Sequence, residues 1–148
     1  LGISEAEALR QLSREGGLLG ISGVSNDARD IEAAAEGGNA DARLALKALC
    51  HSARGHIGAC AANLGGLEAI SFSGGIGENS PSLRVEILEP LAFMGVEIDP
   101  EKNAECVKKR EGIISAPSSK IKVAVISANE EIVVAREAAK LLSKKTNI

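Results

Sequence analysis

Two segments of this sequence read as strands that run directly into helices, and that arrangement restricts the chain to an alternating α/β fold. Residues 67–73 (LEAISFS) carry the apolar run Ala69, Ile70 and Phe72 and pass at once into Gly74-Gly75-Ile76-Gly77. Residues 122–127 (KVAVIS) form the clearest strand and pass into Ala128-Asn129-Glu130-Glu131. A short apolar run bounded by turn residues is the signature of a buried strand. Strands separated by helical stretches pack as layers, and in an open α/β sheet ligands gather beyond the carboxyl ends of the strands.

The rest of the chain fits the same layout. Residues 4–15 place Ala6, Ala8, Leu9 and Leu12 among charges, predicting a short amphipathic helix with Ser4 as N-cap, ended by Gly16-Gly17. Residues 18–30 mix apolar side chains with Gly, Ser, Asn and Asp and read as an irregular surface loop, followed by a weak helix over residues 31–35. Asn39 then opens a long helix over residues 40–64, with Leu44, Ala45, Ala48, Leu49, Ser52, Ile57, Ala61 and Leu64 near one side and Gly65-Gly66 closing it. Ser80-Pro81 starts a helix to about Phe93, and Asp99-Pro100 another to about Arg110. Short strands are expected at residues 96–98 and 113–114, and a last helix runs to about Ser143.

Composition removes several classes of function. With 17 Lys and Arg against 20 Asp and Glu, the net charge of −3 gives no field for nucleic acid. Phe72 and Phe93 are the only aromatic residues, which leaves nothing to stack bases on. No apolar run reaches the length of a membrane span and the N-terminus lacks the basic-then-apolar layout of a signal peptide, so the expected location is the cytoplasm. Cys50, Cys60 and Cys106 form no paired motif and read as small buried hydrophobes. The chain starts at Leu1 and its only methionine is Met94, so it is expected to be a trimmed or partial chain.

Three places could carry chemistry. Around residues 73–81, consecutive glycines after a strand let backbone approach a ligand closely, and Glu78 and Asn79 could hydrogen-bond a nucleotide; the same glycines also suit a tight turn with positive φ. At residues 127–131, Asn129 suits an N-cap and the carboxylates suit a first helical turn, or one of them could hold a hard cation such as Mg²⁺. In Asp27-Ala28-Arg29 the guanidinium is either a fork for phosphate oxygens or a surface partner for nearby carboxylates. His51 and His56 lie ~140° apart around one helix and form no metal pair. The basic runs Lys108-Lys109-Arg110 and Lys144-Lys145 are read as helix ends, where cations are favoured.

Taken in order, LLGISGVSNDARD (residues 18–30), SGGIGENS (73–80) and SANEE (127–131) resemble the C-terminal part of the acetate/propionate kinase family, with Ile57-Gly58-Ala59 and GVEIDPEKN (95–103) between them. The similarity runs from about Gly17 to Leu142. It implies an incomplete C-terminal lobe of an actin-like (ribonuclease H-like) kinase, with a short mixed sheet flanked by helices. It also implies reversible transfer of the γ-phosphoryl group of ATP to acetate or propionate, giving acyl phosphate and ADP, with Mg²⁺. The implied nucleotide contacts are Asp27, Ala28 and Arg29, with Gly75, Ile76, Gly77, Glu78 and Asn79, and the implied magnesium residue is Glu130. The family's acyl site and catalytic groups belong to an N-terminal lobe that this chain lacks. No catalytic residue is then expected in this chain, although Arg29 could contribute, and the chain alone is expected to be inactive. The family resemblance further implies a homodimer joined through these lobes. A butyrate kinase relative and a non-catalytic nucleotide-binding or dimerisation module are the alternatives. Where the family usually has proline and threonine before the asparagine, this chain has Ser127-Ala128.

Overall fold

The structure, a computed structural model, describes residues 2–129 and 131–145. Ser4 caps α1 (Glu5–Arg14) by accepting a hydrogen bond from the Glu7 amide at 3.2 Å. The stretch expected as an irregular loop is instead partly helical: α2 (Gly17–Ser22) closes at Gly23 with φ 64°, and only residues 23–27 connect it to α3 (Ala28–Glu36). The weak helix therefore begins three residues earlier than expected. The cause is Asp27, whose carboxylate accepts from the Arg29 amide and caps α3.

α4 (Ala40–Leu64) has the bounds its cap residues predict. Asn39 Oδ1 accepts from the amides of Asp41 and Ala42 at 3.0 and 2.9 Å, and Gly65 ends the helix with φ 73°. Its buried stripe is Ala42, Ala45, Leu46, Cys50 and Ala61, with Leu49, Ala53 and Ile57 packed beside it. Leu44 and Leu64, expected on that side, face outward, because Leu44 is ~200° around the axis from buried Ala42 and Leu46, and Leu64 lies in the last turn beyond the core. The small buried residues let α2, α3 and α6 (Pro81–Leu88) approach this helix closely.

The sheet has three strands in the order β1 (Ala69–Phe72), β3 (Lys122–Val125), β2 (Gly112–Ile113). β1 runs parallel to β3 with Ala69 opposite Lys122 and Phe72 opposite Val125, and β2 runs antiparallel with Gly112 opposite Val125. In β3 the alternation is clean, Val123 and Val125 being buried. β1 is not the buried strand its composition suggests: Ala69 and Ser71 are exposed, and Ile70 and Phe72 only half-buried. It lies at the sheet's edge, paired on one side only among the described strands.

The parallel β1–β3 pair needs a crossover, supplied by α5 (Gly74–Asn79), α6 and α7 (Pro100–Glu105). Three expectations shorten here. The helix expected to reach Phe93 ends at Leu88 and tightens into a 3-10 turn, Glu89–Met94, because Pro90 cannot continue the ladder. The strand expected at residues 96–98 is a single bridge from Ile98 to Ser115. The helix expected to reach Arg110 ends at Glu105, and Lys108 and Lys109 stand in the left-handed region (φ 52° and 68°), so they do not close a helix. α8 (Glu131–Lys145) completes the chain, its described side chains exposed. The core joins Ile31 and Leu46 to Leu88, Ile114, Val123 and Val125. Cys50 and Cys106 are buried as expected, whereas Cys60 is exposed.

Candidate functional site

A cavity of about 780 Å³ opens between the start of α3 and α5. Asp27, Ala28 and Arg29 line one wall, and Gly75, Ile76 and Asn79 line the other. Two stretches nearly fifty positions apart in sequence thus face each other across a space of the size that small-molecule ligands occupy. Gly77 and Glu78, from the same expected stretch, turn away from this cavity.

On the α3 wall the Asp27 carboxylate takes three donors from one residue: the Arg29 amide at 2.9 Å, Nε at 3.0 Å and Nη2 at 2.6 Å. The Arg29 side-chain bonds, followed by its amide, pull the Asp27 carboxyl down to about 2. The Arg29 side chain is 85% exposed, so this is a surface pair whose fork remains within reach of a better acceptor. Glu32, one turn on, ties the walls together: its carboxylate accepts from the hydroxyls of Ser80 and Ser82, while Ser80 also caps α6 through the Leu83 amide at 3.3 Å.

The glycines of the opposite wall differ in what they require. Gly74 has φ 75°, a conformation that disfavours any side chain, and a Cβ at Gly77 would press on Phe72 at 3.3 Å. Gly75 has neither constraint, since a Cβ there meets nothing within 4 Å. It nevertheless lines the cavity, so a side chain at Gly75 would occupy the space a ligand would take. Ile76 offers an exposed apolar face beside it. Asn79 is held from both ends, donating to the Gly75 carbonyl at 2.9 Å and accepting from the Lys108 amide at 3.1 Å.

Glu78 is buried, with Oε1 accepting from the Gly74 amide at 2.8 Å and from the Ala128 amide at 2.7 Å. The Ala128 amide, then Gly74, the Ser127 hydroxyl and the Lys109 charge hold its carboxyl below the usual range against the opposing effect of burial. A second cavity, of about 460 Å³, lies between this side of α5 and the β3–α8 junction. Gly75 lines both cavities, and Lys109, Ser127, Asn129 and Glu131 line the second. Asn129 Oδ1 accepts from the Ile132 amide at 3.2 Å, the cap its sequence position predicts. Glu130, the implied magnesium residue, lies outside the described residues. Among the described residues no three His, Cys, Asp or Glu side chains cluster as a metal site. The hard oxygen donors beside this cavity are nonetheless of the kind that magnesium uses, one or two carboxylates completed by water and phosphate.

Arg84 escaped the sequence reading. It is 1% exposed, and its guanidinium donates to Asn103 Oδ1 and the Gly77 and Asn103 carbonyls, each at 2.7 Å, and to the Cys106 carbonyl at 2.9 Å. Burial depresses its pKa, and its partners among the described residues are all amide or carbonyl oxygens. By taking carbonyls at the end of α7, it explains why that helix stops at Glu105. Ser80 is the N-cap its sequence position predicts, whereas its pairing with Glu32 was missed because it spans 48 positions.

The sequence of residues 1–136 matches the model of the acetokinase family. The chain is 45% identical over 139 residues to an acetate kinase of Staphylococcus haemolyticus, covering 94% of this chain and 35% of that protein. It is 46% identical over 143 residues to an acetate kinase of Phocaeicola vulgatus, covering 97% and 35%. The crystal structure of Porphyromonas gingivalis acetate kinase superposes with a TM-score of 0.83 at 35% identity, over 95% of this chain and 35% of that one. A propionate kinase from Francisella tularensis superposes at 0.80 with 34% identity, over 92% and 34%. The chain thus spans about a third of the length of the relatives it matches, and the expected fold, an incomplete kinase lobe with a short mixed sheet, agrees with its structural neighbours. Motif order, fold and a match along most of its length agree: the chain belongs to the acetokinase family.

Proposed function

We propose that this chain is the C-terminal, nucleotide-binding portion of an acetate or propionate kinase, which transfers the γ-phosphoryl group of ATP reversibly to the short-chain carboxylate. The observation that carries this reading is the 780 Å³ cavity, walled on one side by residues 27–29 and on the other by Gly75, Ile76 and Asn79, with Gly75 unexplained by backbone strain or packing. On this reading the adenosine end of ATP or ADP occupies that cavity against Ile76, with backbone close at Gly75. The phosphates extend past Gly75 toward the second cavity.

Phosphoryl transfer requires positioning and neutralisation of charge more than covalent help. Arg29 serves the second need by releasing Asp27 for a phosphate oxygen, an exchange of one exposed acceptor for a more highly charged one. A magnesium ion held through Glu130 would supply further neutralisation at the phosphates when bound. The acyl-binding and catalytic groups belong to an N-terminal lobe outside this chain, so the chain alone binds nucleotide without turnover. The whole protein is a cytoplasmic homodimer joined through these lobes.

The test is calorimetric titration of the full-length protein with ADP, beside its Gly75→Val variant. The variant should lose ADP binding while its melting midpoint stays within about 3 °C, since Val replaces Gly in a helix without a clash. Equal ADP affinity in both proteins would remove the nucleotide from this cavity.

A further inference from the structure

We infer that Glu78 is a positioning residue that locks the nucleotide wall to the metal-bearing junction, without itself touching nucleotide. This rests on the reading above. One carboxylate oxygen holds the first amide of α5 and the amide of Ala128, groups 54 positions apart that belong to the two strand-to-helix junctions. β1 and β3 are already paired side by side, so their carboxyl ends lie adjacent. Glu78 adds a side-chain bridge between the backbones that leave them. Ala128 is two residues before Glu130 in the sequence, so Glu78 ties the start of α5 to the segment that leads into the proposed magnesium residue.

The opposite flank of α5 is fixed independently. Arg84 donates to the Gly77 carbonyl and anchors it to the end of α7. With both flanks held, α5 has little freedom to absorb a change at Glu78 locally, so the change is passed to the two junctions together. A group that served the nucleotide alone would affect nucleotide affinity alone.

In the full-length protein, Glu78→Ala should raise both the KM for ATP and the Mg²⁺ concentration giving half-maximal rate, each by about tenfold, within the usual range of coupling between sites. Glu78→Gln keeps an oxygen able to accept both amides and should stay within about threefold on both measures. Glu78→Asp keeps the charge but withdraws it by about 1.5 Å, a methylene's length, and should show the joint shift even if the alanine variant fails to fold. Without any ligand, amide exchange at Gly74 and Ala128 should quicken together in Glu78→Asp. A shift of KM for ATP alone, or unchanged exchange at Ala128, would overturn the inference. If the parent protein binds no ADP, the nucleotide reading fails separately, and the exchange measurement still decides the bridge.

Discussion

Two acid–base pairs border the candidate site, and they satisfy their charges in opposite ways. Asp27, half-buried, and Arg29, exposed, satisfy each other through a bidentate contact that water can reach. Glu78 and Arg84 are buried and ignore each other: the carboxylate accepts chiefly from backbone amides, with the Ser127 hydroxyl beside them, and the guanidinium donates to backbone carbonyls and one asparagine. An exposed ion pair is worth little net free energy, so either partner can be taken by a ligand at small cost. A buried charge satisfied by fixed dipoles has no alternative partner, and removing it leaves those dipoles unpaired. The mobile charges therefore face the cavity, while the immobile ones hold its walls.

The strongest challenge to this contrast is Arg84→Met. Several buried carbonyls would lose their donor, at ~1–3 kcal/mol each, for a total of about 3–5 kcal/mol. The melting midpoint of the full-length protein should fall by about 10 °C, and a fall of less than 2 °C would place Arg84 with the dispensable surface charges. Ser80→Ala removes both the α6 cap and a donor to Glu32, and should cost about 1 kcal/mol, seen as a smaller drop in the same melt. Arg29→Ala should leave the melt unchanged yet weaken ADP binding about tenfold by calorimetry, the reverse of the Arg84 pattern.

The finest test is of pH. Asp27 titrates at about 2 in the folded chain, below the ordinary carboxylate range, so its contribution to stability is complete above that range and is lost as pH falls through it toward 2. An NMR titration of its carboxyl should give a midpoint near 2, and the Arg29→Ala variant should move it upward. An unmoved midpoint would mean that the amide alone sets it.

Local signals explain what could be read before the fold was known. Asn39 and Gly65 bound α4 because capping is decided within three or four residues. The two stretches 27–29 and 75–79 were legible as motifs, but not that Gly75, Ile76 and Asn79 face the cavity while Glu78 turns inward, since that depends on α5 being helical from Gly74 onward. β1 reads as a buried strand from its own residues, and only the strand order reveals it as an edge. Arg84 looks like any polar residue in an amphipathic helix, because its acceptors lie 7 to 22 positions away. The exposure of Cys60 follows from which side of α4 meets the core, which no local pattern fixes.

The pairing of Ala69 with Lys122 also sets a timetable for synthesis. At ~5–20 residues per second, β1 leaves the ribosome several seconds before its only described partner strand exists. Throughout that interval Ile70 and Phe72 lack the β3 partner they have in the fold, and Glu78 has no Ala128 amide to hold. The α5 wall of the cavity thus becomes rigid only after β3 has been made, and a nascent chain stalled before β3 would leave the β3-facing edge of β1 without the partner it has in the fold.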